Sequence, residues 1–97
     1  MSKALKFPDR YFTDQFCFVC KQVRPVVGIE GVNVRVWRTF RFFYAPLLNL
    51  RFDCGHTCLT PIWNEKDEML KYESHEEALA AAERIAQEIL EFNKDNL

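Results

Sequence analysis

The chain has 97 residues, of which 48% are apolar and 28% charged, and this length is enough for one small domain spanning residues 1–97 but not for two. No stretch approaches the roughly 20 consecutive apolar residues of a membrane-spanning helix, which excludes a membrane protein of that kind. The net charge is −1, but residues 1–56 carry +5 and residues 57–97 carry −6, so the two halves offer different surfaces to partners.

The N-terminal segment, residues 1–15, mixes aromatic and polar residues without a regular period. It has no apolar stretch of the kind that marks a secretory signal peptide, so we expect a cytoplasmic protein. Thiols stay reduced in the cytosol, and four cysteines in that compartment favour a metal site over disulfide bonds.

The first predicted strand follows the first two cysteines, in a region rich in β-branched residues. Residues 22–29 contain three valines and an isoleucine, but they also contain Pro25. Proline cannot donate to a strand ladder, which favours an edge strand or a bulge here. The glycines of residues 28–31 predict a turn before the next strand.

The longest predicted strand covers residues 32–44. Its even-numbered side chains are mostly apolar and are expected to face inward, while the odd-numbered ones face outward. Arg38 interrupts the inward set. We interpret Ala45-Pro46 as the turn of a long hairpin and residues 47–53, which alternate again, as the return strand. That strand would deliver the second cysteine pair to the first.

After a short strand at 59–63, a polar turn at 64–68 and a further short strand at 69–72, the last predicted element is an amphipathic helix at residues 74–93. Ser74 and Glu77 form a capping box at its start. Its apolar stripe is Ala78, Ala82, Ile85, Ile89 and Phe92, widened by Leu79, Ala86 and Leu90. A helix packed on one face of a small antiparallel sheet of hairpins predicts an α+β fold.

The four cysteines occur as two pairs with the spacing of structural zinc ligands. Two residues separate Cys17 from Cys20, and three separate Cys54 from Cys58. Zinc binds four thiolate or imidazole ligands in a tetrahedron, and paired ligands are commonly two to four residues apart. The pattern predicts one structural Zn²⁺ bound by these four cysteines. His56 is the alternative fourth ligand and would leave Cys58 as a thiol outside the shell; buried cysteines without metal are the third interpretation.

The two cysteine turns, with strands between them, resemble a zinc ribbon. The resemblance covers residues 17–21 and 53–58 with the hairpins of residues 16–63, and it identifies no single family. Two features depart from the usual ribbon: the second gap has three residues, and Lys21 stands where many ribbons have glycine. A ribbon fold implies binding to nucleic acid or protein more often than catalysis.

A second candidate site consists of basic and aromatic side chains on the longest predicted strand. Arg35, Trp37 and Arg41 alternate along its outer face, and Arg38 lies beside them. Guanidinium groups bind phosphates, and an exposed indole ring stacks on a base. These four residues predict nucleic-acid binding; the alternative is an ordinary outer sheet face with Trp37 covered. The predicted helix is acidic, which argues against a helix that reads the major groove.

Motifs of catalysis are missing. His75-Glu76-Glu77 begins like the helix of zinc proteases, but Leu79 stands where the second histidine is required. A redox pair made of the first two cysteines would leave the other two unexplained. We therefore expect a protein without enzymatic activity.

These features favour a small zinc-binding regulator or accessory factor that binds nucleic acid. The competing hypothesis is a protein-interaction module or inhibitor, of the kind that a phage encodes. It would dock a host protein through its acidic helix or through exposed aromatics such as Trp37, Phe43 and Trp63. Self-association into a homodimer, through the helix or an edge strand, is a third option.

Overall fold

The computed structural model describes residues 4–38 and 41–94 of the chain. Within these residues the elements are β1 (Tyr11–Thr13), β2 (Phe16–Cys17), β3 (Gln22–Val23), β4 (Val26–Arg38), β5 (Phe42–Phe52), β6 (Thr57–Asn64) and the helix α1 (His75–Phe92). Four of the strands form an antiparallel sheet in the order β1-β6-β5-β4, and β2 pairs with β3 in a separate hairpin. The predicted α+β architecture is confirmed.

The helix α1 packs across β4 and β5 and covers one face of the sheet. Leu48 and Leu50 are completely buried on that face and Phe52 is 1% exposed, whereas Arg51, on the other face, is exposed. This alternation is the one predicted for the return strand. Burying a Leu or Phe side chain contributes about 1.5–3 kcal/mol, so these three residues are a major part of the core.

The helix begins as its capping residue predicts. The Ser74 hydroxyl accepts a hydrogen bond from the backbone N–H of Glu77 at 3.1 Å, which satisfies one of the otherwise unpaired N–H groups of the first turn. The helix ends at Phe92, one residue earlier than predicted. No helix in the described ranges is both long and apolar enough to span a membrane.

The buried stripe of α1 differs from the predicted one at its C-terminal end. Phe92 is 51% exposed and Leu90 is 39% exposed, so placing them in the apolar stripe was wrong. Ala81, which the prediction left out, is buried instead, next to the correctly predicted Ala78. The buried face of the helix therefore consists mainly of alanines with Ile85 and Ile89, and Phe92 lies outside it.

The turn predicted at residues 45–46 was wrong, because both residues are buried inside β5. The strands β4 and β5 pair as far as Arg38 and Phe42, well beyond the predicted turn. Residues 39 and 40 of the predicted strand lie outside the described residues. The hairpin is therefore longer and its return strand starts earlier than the sequence suggested.

Pro46 fits inside β5 because β6 diverges from β5 at this point. The regular pairing of β5 with β6 ends at Leu47 and Pro61. The carbonyl of Ile62, the next acceptor along β6, accepts a hydrogen bond from the N–H of Leu70 at 2.8 Å. The missing N–H of Pro46 therefore breaks no ladder bond, which is the condition under which a strand tolerates proline.

The turn predicted at residues 28–31 was also wrong. The strand β4 passes through this region with two register shifts, one between Val26 and Gly28 and the other between Ile29 and Gly31. Each shift inserts one extra residue opposite β5, so the glycines mark β-bulges rather than a reversal. Bulges and turns use the same residues, which explains why the pattern alone did not separate them.

The C-terminal end of α1 is joined to the N-terminal segment by Asn93, which is completely buried. Its side-chain oxygen accepts from the N–H of Lys6, and its side-chain nitrogen donates to the carbonyls of Lys6 and Ile89, each at 2.7 Å. The adjacent Leu5 donates to the carbonyl of Val26 at 2.7 Å. One amide thus caps the helix and fixes the incoming chain.

Candidate metal centre

The first cysteine turn is built by the β2–β3 hairpin. Cys17 pairs with Gln22, and the N–H of Lys21 donates to the carbonyl of Cys17 at 2.7 Å. The N–H of Cys20 points at the sulfur of Cys17, 3.4 Å away. Lys21 has a φ of 59°, in the left-handed region that favours glycine. The lysine therefore adopts the conformation that glycine provides in many ribbons.

The second turn connects β5 to β6. The N–H of Gly55 donates to the carbonyl of Phe52, and the N–H of Phe52 donates to the carbonyl of His56, both at 2.9 Å. Gly55 has a φ of 90°, which a residue with a side chain rarely adopts. The N–H of Asp53 donates to the carbonyl of Pro25 at 3.0 Å, and this bond ties the second turn to the chain that follows the first.

The two turns bring four potential ligands together: Cys17, Cys20, Cys54 and His56. Their sulfur atoms and an imidazole nitrogen all lie within 4.8 Å of one another. Cys17 is completely buried, and the other three are half-buried. Two ligands come from the N-terminal hairpin and two from the β5–β6 turn, so a bound ion would join two parts of the chain that are distant in sequence.

The spacing of these atoms fits a tetrahedral ion. With Zn–S bonds of about 2.3 Å and a Zn–N bond of about 2.0–2.1 Å, two sulfurs lie about 3.8 Å apart, and a sulfur and the nitrogen lie about 3.6 Å apart. The sulfurs of Cys17 and Cys54 are 3.6 Å apart. The Nδ1 atom of His56 is 3.7 Å from the sulfur of Cys17 and 3.3 Å from those of Cys20 and Cys54. The donor set is three sulfurs and one nitrogen, all soft or borderline ligands that suit zinc.

The structure places Cys58, the fourth ligand of the main prediction, outside this group of four. It lies in β6 opposite Leu50 and packs against the apolar core. The β5–β6 turn closes at His56, and β6 starts at Thr57, so Cys58 already belongs to the regular strand. This geometry favours the alternative set in which His56 takes the fourth position.

The thiols of the cluster influence one another strongly. Burial raises the pKa of Cys17, but hydrogen bonds from the N–H of Cys20, the thiol of Cys54 and the N–H of Val19 outweigh it and lower the pKa from 9.0 to about 6. The hydrogen bond with Cys54, burial and the proximity of Cys17 raise the pKa of Cys20 to about 11. Without a cation, the thiolate is thus favoured at Cys17 and disfavoured at Cys20. A divalent ion supplies the positive charge that lets several thiolates lie together.

The arrangement is suited to holding a metal ion rather than to catalysis at the metal. Four protein ligands complete a tetrahedral shell and leave no open position for water or substrate. Cys20 and Cys54 pack against the hydrophobic core, so the ligands are also held by tertiary contacts.

The second candidate site lies at the far end of the β4–β5 hairpin, residues 35–38 and 41–44, which we call the arm. Trp37 lies opposite Phe43 in the register, so their side chains share one face. The guanidinium of Arg35 lies 5.9 Å from the Trp37 ring, and that of Arg41 lies 4.9 Å from the Phe43 ring. Lys71 lies 5.1 Å from the same Phe43 ring. We call this set the ring face.

Arg38, which was predicted with the other three, is on the opposite face of the arm. There it lies 5.6 Å from the ring of Phe42, which is 56% exposed. Trp37 is 39% exposed, so the helix does not cover it. Lys71 was not predicted, because it reaches the arm from the segment that follows β6. The bridge between Tyr44 and Tyr72 fixes that segment beside β5, and no local pattern signals such a bridge.

Comparison of the chain with protein-family models, with curated proteins and with solved structures found no match.

Proposed function

We propose that this is a small non-catalytic zinc protein, of zinc-ribbon type, whose arm binds nucleic acid. The zinc assignment rests on one observation: three sulfurs and one imidazole nitrogen lie at distances that a tetrahedral zinc shell requires. Such a site stabilises the fold, since zinc binding couples roughly 10–16 kcal/mol to folding in zinc-finger peptides. The ion would hold the β2–β3 hairpin against the β5–β6 turn and so support the sheet from which the arm extends.

The nucleic-acid part of the proposal rests on the ring face. Arg35 and Arg41 of the arm, together with Lys71, lie close to the rings of Trp37 and Phe43. Cations provide sequence-independent attraction to phosphates, and the rings provide stacking surfaces for bases. The acidic helix packs on the other face of the sheet, so its charge does not lie next to the ring face. A regulator or accessory factor that binds nucleic acid without a recognition helix fits this arrangement.

A protein partner is the second candidate function, and a cleft on the outer face of the sheet favours it. The cleft has a volume of about 720 Å³ and is bordered by Phe18, Val19 and Leu59. These side chains are 59%, 61% and 40% exposed. Exposed apolar side chains around a depression are typical of protein-docking sites. Asp14 and Arg35 at its edge would add polar contacts to a bound segment.

The zinc assignment is tested by the metal content of the purified protein and of three single variants. We expect one zinc per chain in the unchanged protein and in Cys58→Ser, and a loss or strong weakening of zinc binding in Cys54→Ser and His56→Ala. Cys58→Ser is the matched control, because it changes a nearby cysteine that lies in β6 and outside the cluster. Zinc loss in Cys58→Ser with retention in His56→Ala would instead support the four-cysteine set.

Nucleic-acid binding is tested by titrating labelled single-stranded and duplex oligonucleotides at several salt concentrations. We expect affinity to fall steeply with salt, with a slope of about −0.7 to −0.9 per phosphate contact. The double variant Arg35→Ala/Arg41→Ala is expected to weaken binding and to lower the slope by about 2. Arg51→Ala is the matched control, since Arg51 pairs with Glu30 at 2.9 Å at the other end of the hairpin. Equal binding by both variants would refute the role of the ring face and would favour the protein partner.

A further inference from the structure

The cleft on the outer face of the sheet is continuous with the ring face. Arg35 belongs to both, because its guanidinium lies 5.9 Å from the Trp37 ring and its side chain also lines the cleft. Alternation along β5 places Phe43 of the ring face and Asn49 of the cleft on the same side of the strand. These two residues are six positions apart on β5, which is about 20 Å. A chain molecule that lies on the ring face and follows the sheet therefore reaches the cleft.

One wall of the cleft is the unpaired edge of β6. The strand β1 pairs only with residues 62–64 of β6, so the earlier residues of β6 have no strand beside them on that side in the described ranges. The N–H of Phe52 donates to the carbonyl of His56, so the even-numbered residues of β5 and β6 turn their backbone groups toward each other. By alternation the N–H and C=O of Leu59 point to the open side. Neither group has a hydrogen-bond partner among the described residues.

The other groups around the cleft are a flat apolar wall and several free polar side chains. Phe18, from the first cysteine turn, supplies an exposed ring. The amide of Asn49 and the hydroxyl of Thr57 line the cleft and make no hydrogen bond within the part of the chain that is described. Asp14 is the acidic group and Arg35 the basic group at the border. The volume of about 720 Å³ lies in the range of about 300–1,000 Å³ that is typical of small-ligand sites.

We propose that one unpaired base of a single nucleic-acid strand on the ring face enters this cleft, and that the cleft prefers a base with an exocyclic amino group. This inference rests on the nucleic-acid function proposed above. The Phe18 ring would stack on the base, and the Leu59 backbone and the Asn49 amide would hydrogen-bond its edge, as in single-strand recognition generally. Arg35 would bind the adjacent phosphate. A base in a duplex does not fit, because its edge is already paired.

Asp14 is the group that selects the base. The backbone N–H and C=O of one residue bind cytosine and uracil equally well, since each base offers a donor and an acceptor side by side. A carboxylate only accepts hydrogen bonds. It therefore accepts from the amino group of cytosine and repels the carbonyl oxygen that uracil carries at the same position. Its negative charge also keeps phosphates away from this end of the cleft, so that they lie at Arg35.

The test compares labelled single strands of deoxycytidine and of deoxyuridine, titrated by fluorescence anisotropy against the zinc-loaded protein at neutral pH. We expect the cytosine strand to bind about tenfold more tightly. Asp14→Asn is expected to abolish this preference, because an amide also donates to the uracil oxygen. Asn49→Ala is expected to weaken single-strand binding by about threefold to tenfold. It should leave duplex binding and the salt slope unchanged, because Asn49 contacts no phosphate.

Two control variants change matched residues outside the cleft. Asp9→Asn removes the same charge from an exposed position of the same N-terminal segment, and Asn33→Ala removes an amide from the same face of the sheet. Both should keep the preference for cytosine. A loss of the preference in Asp9→Asn would show that net charge and not the cleft is responsible, and would overturn the inference.

The arginine variant separates the failure of this inference from that of the proposed function. If Arg35→Ala/Arg41→Ala weakens binding but the unchanged protein binds both strands equally, or if the preference survives Asp14→Asn, the base site is refuted while nucleic-acid binding by the arm stands. If neither strand binds, the proposed function fails together with the base site, and the cleft is left to a protein partner.

Discussion

Asn93 is expected to contribute more to stability than any other polar side chain of the described core. Three hydrogen bonds of 2.7 Å converge on its amide, which joins the N–H and C=O of Lys6 to the carbonyl of Ile89. A neutral hydrogen bond contributes about 0.5–1.5 kcal/mol net, so Asn93→Ala should lower the free energy of unfolding by about 2–4 kcal/mol. For a domain of this length that corresponds to a melting temperature about 10–25 °C lower.

Asn93→Asp separates the role of hydrogen bonding from that of packing. Aspartate keeps the size of the side chain and can still accept from the N–H of Lys6. It loses the donor, however, and places a buried negative charge beside two carbonyl oxygens at the negative end of the helix dipole. We therefore expect Asn93→Asp to be less stable than Asn93→Ala.

The assay is urea unfolding followed by circular dichroism, with zinc in fixed excess for every variant so that metal loss does not differ between them. Asn64→Ala is the control, because the Asn64 side chain also accepts two backbone hydrogen bonds, but in an exposed turn. It should lower the stability by only about 1 kcal/mol. If Asn93→Asp were as stable as the unchanged protein, or Asn93→Ala no worse than Asn64→Ala, the reasoning would be refuted.

Four further predictions concern the metal centre. Lys21→Gly should raise the stability by about 0.5–1 kcal/mol, because it relieves the left-handed conformation of Lys21, and a lower melting temperature would contradict this. Gly55→Ala should lower the free energy of unfolding by about 1–2 kcal/mol, and with it the melting temperature and the zinc affinity. Nothing lies within 4 Å of the added methyl group, so unchanged values would show that the φ of 90° carries no strain. In the metal-free protein the lowered pKa of Cys17, about 6, adds stability that is present above pH 9 and lost as the pH falls through 6. Because the pKa of Cys20 is raised to about 11, zinc must displace the proton of this thiol when it binds. Competition titrations should therefore show that the zinc affinity rises between pH 6 and pH 9. A constant affinity would argue against thiolate ligation.

The elements whose stabilising contacts lie between residues close together in the chain could be predicted from the sequence. The helix is specified by the Ser74 cap and by apolar residues three and four positions apart, and its observed range differs from the predicted one by a single residue at each end. The alternation around Leu48 and Leu50 likewise identified the buried face of the return strand. The turn of Cys17 and Cys20 is equally local, since two intervening residues suffice to aim both sulfurs at one point. In each case the interacting groups lie within a few residues of one another, so the pattern itself carries the information.

The tertiary structure decided what depends on pairing between distant segments. Whether His56 or Cys58 completes the cluster is set by the register of β6 against β5, which places Cys58 opposite Leu50 and leaves the turn to His56. Pro46 could lie inside a strand only because the carbonyl of Ile62, which would face it, accepts a hydrogen bond from Leu70 in the segment after β6 instead. Two of the three hydrogen bonds of the buried Asn93 amide are with Lys6, 87 residues away. Register and long-range hydrogen bonds are properties of two segments packed together, and neither segment contains them alone.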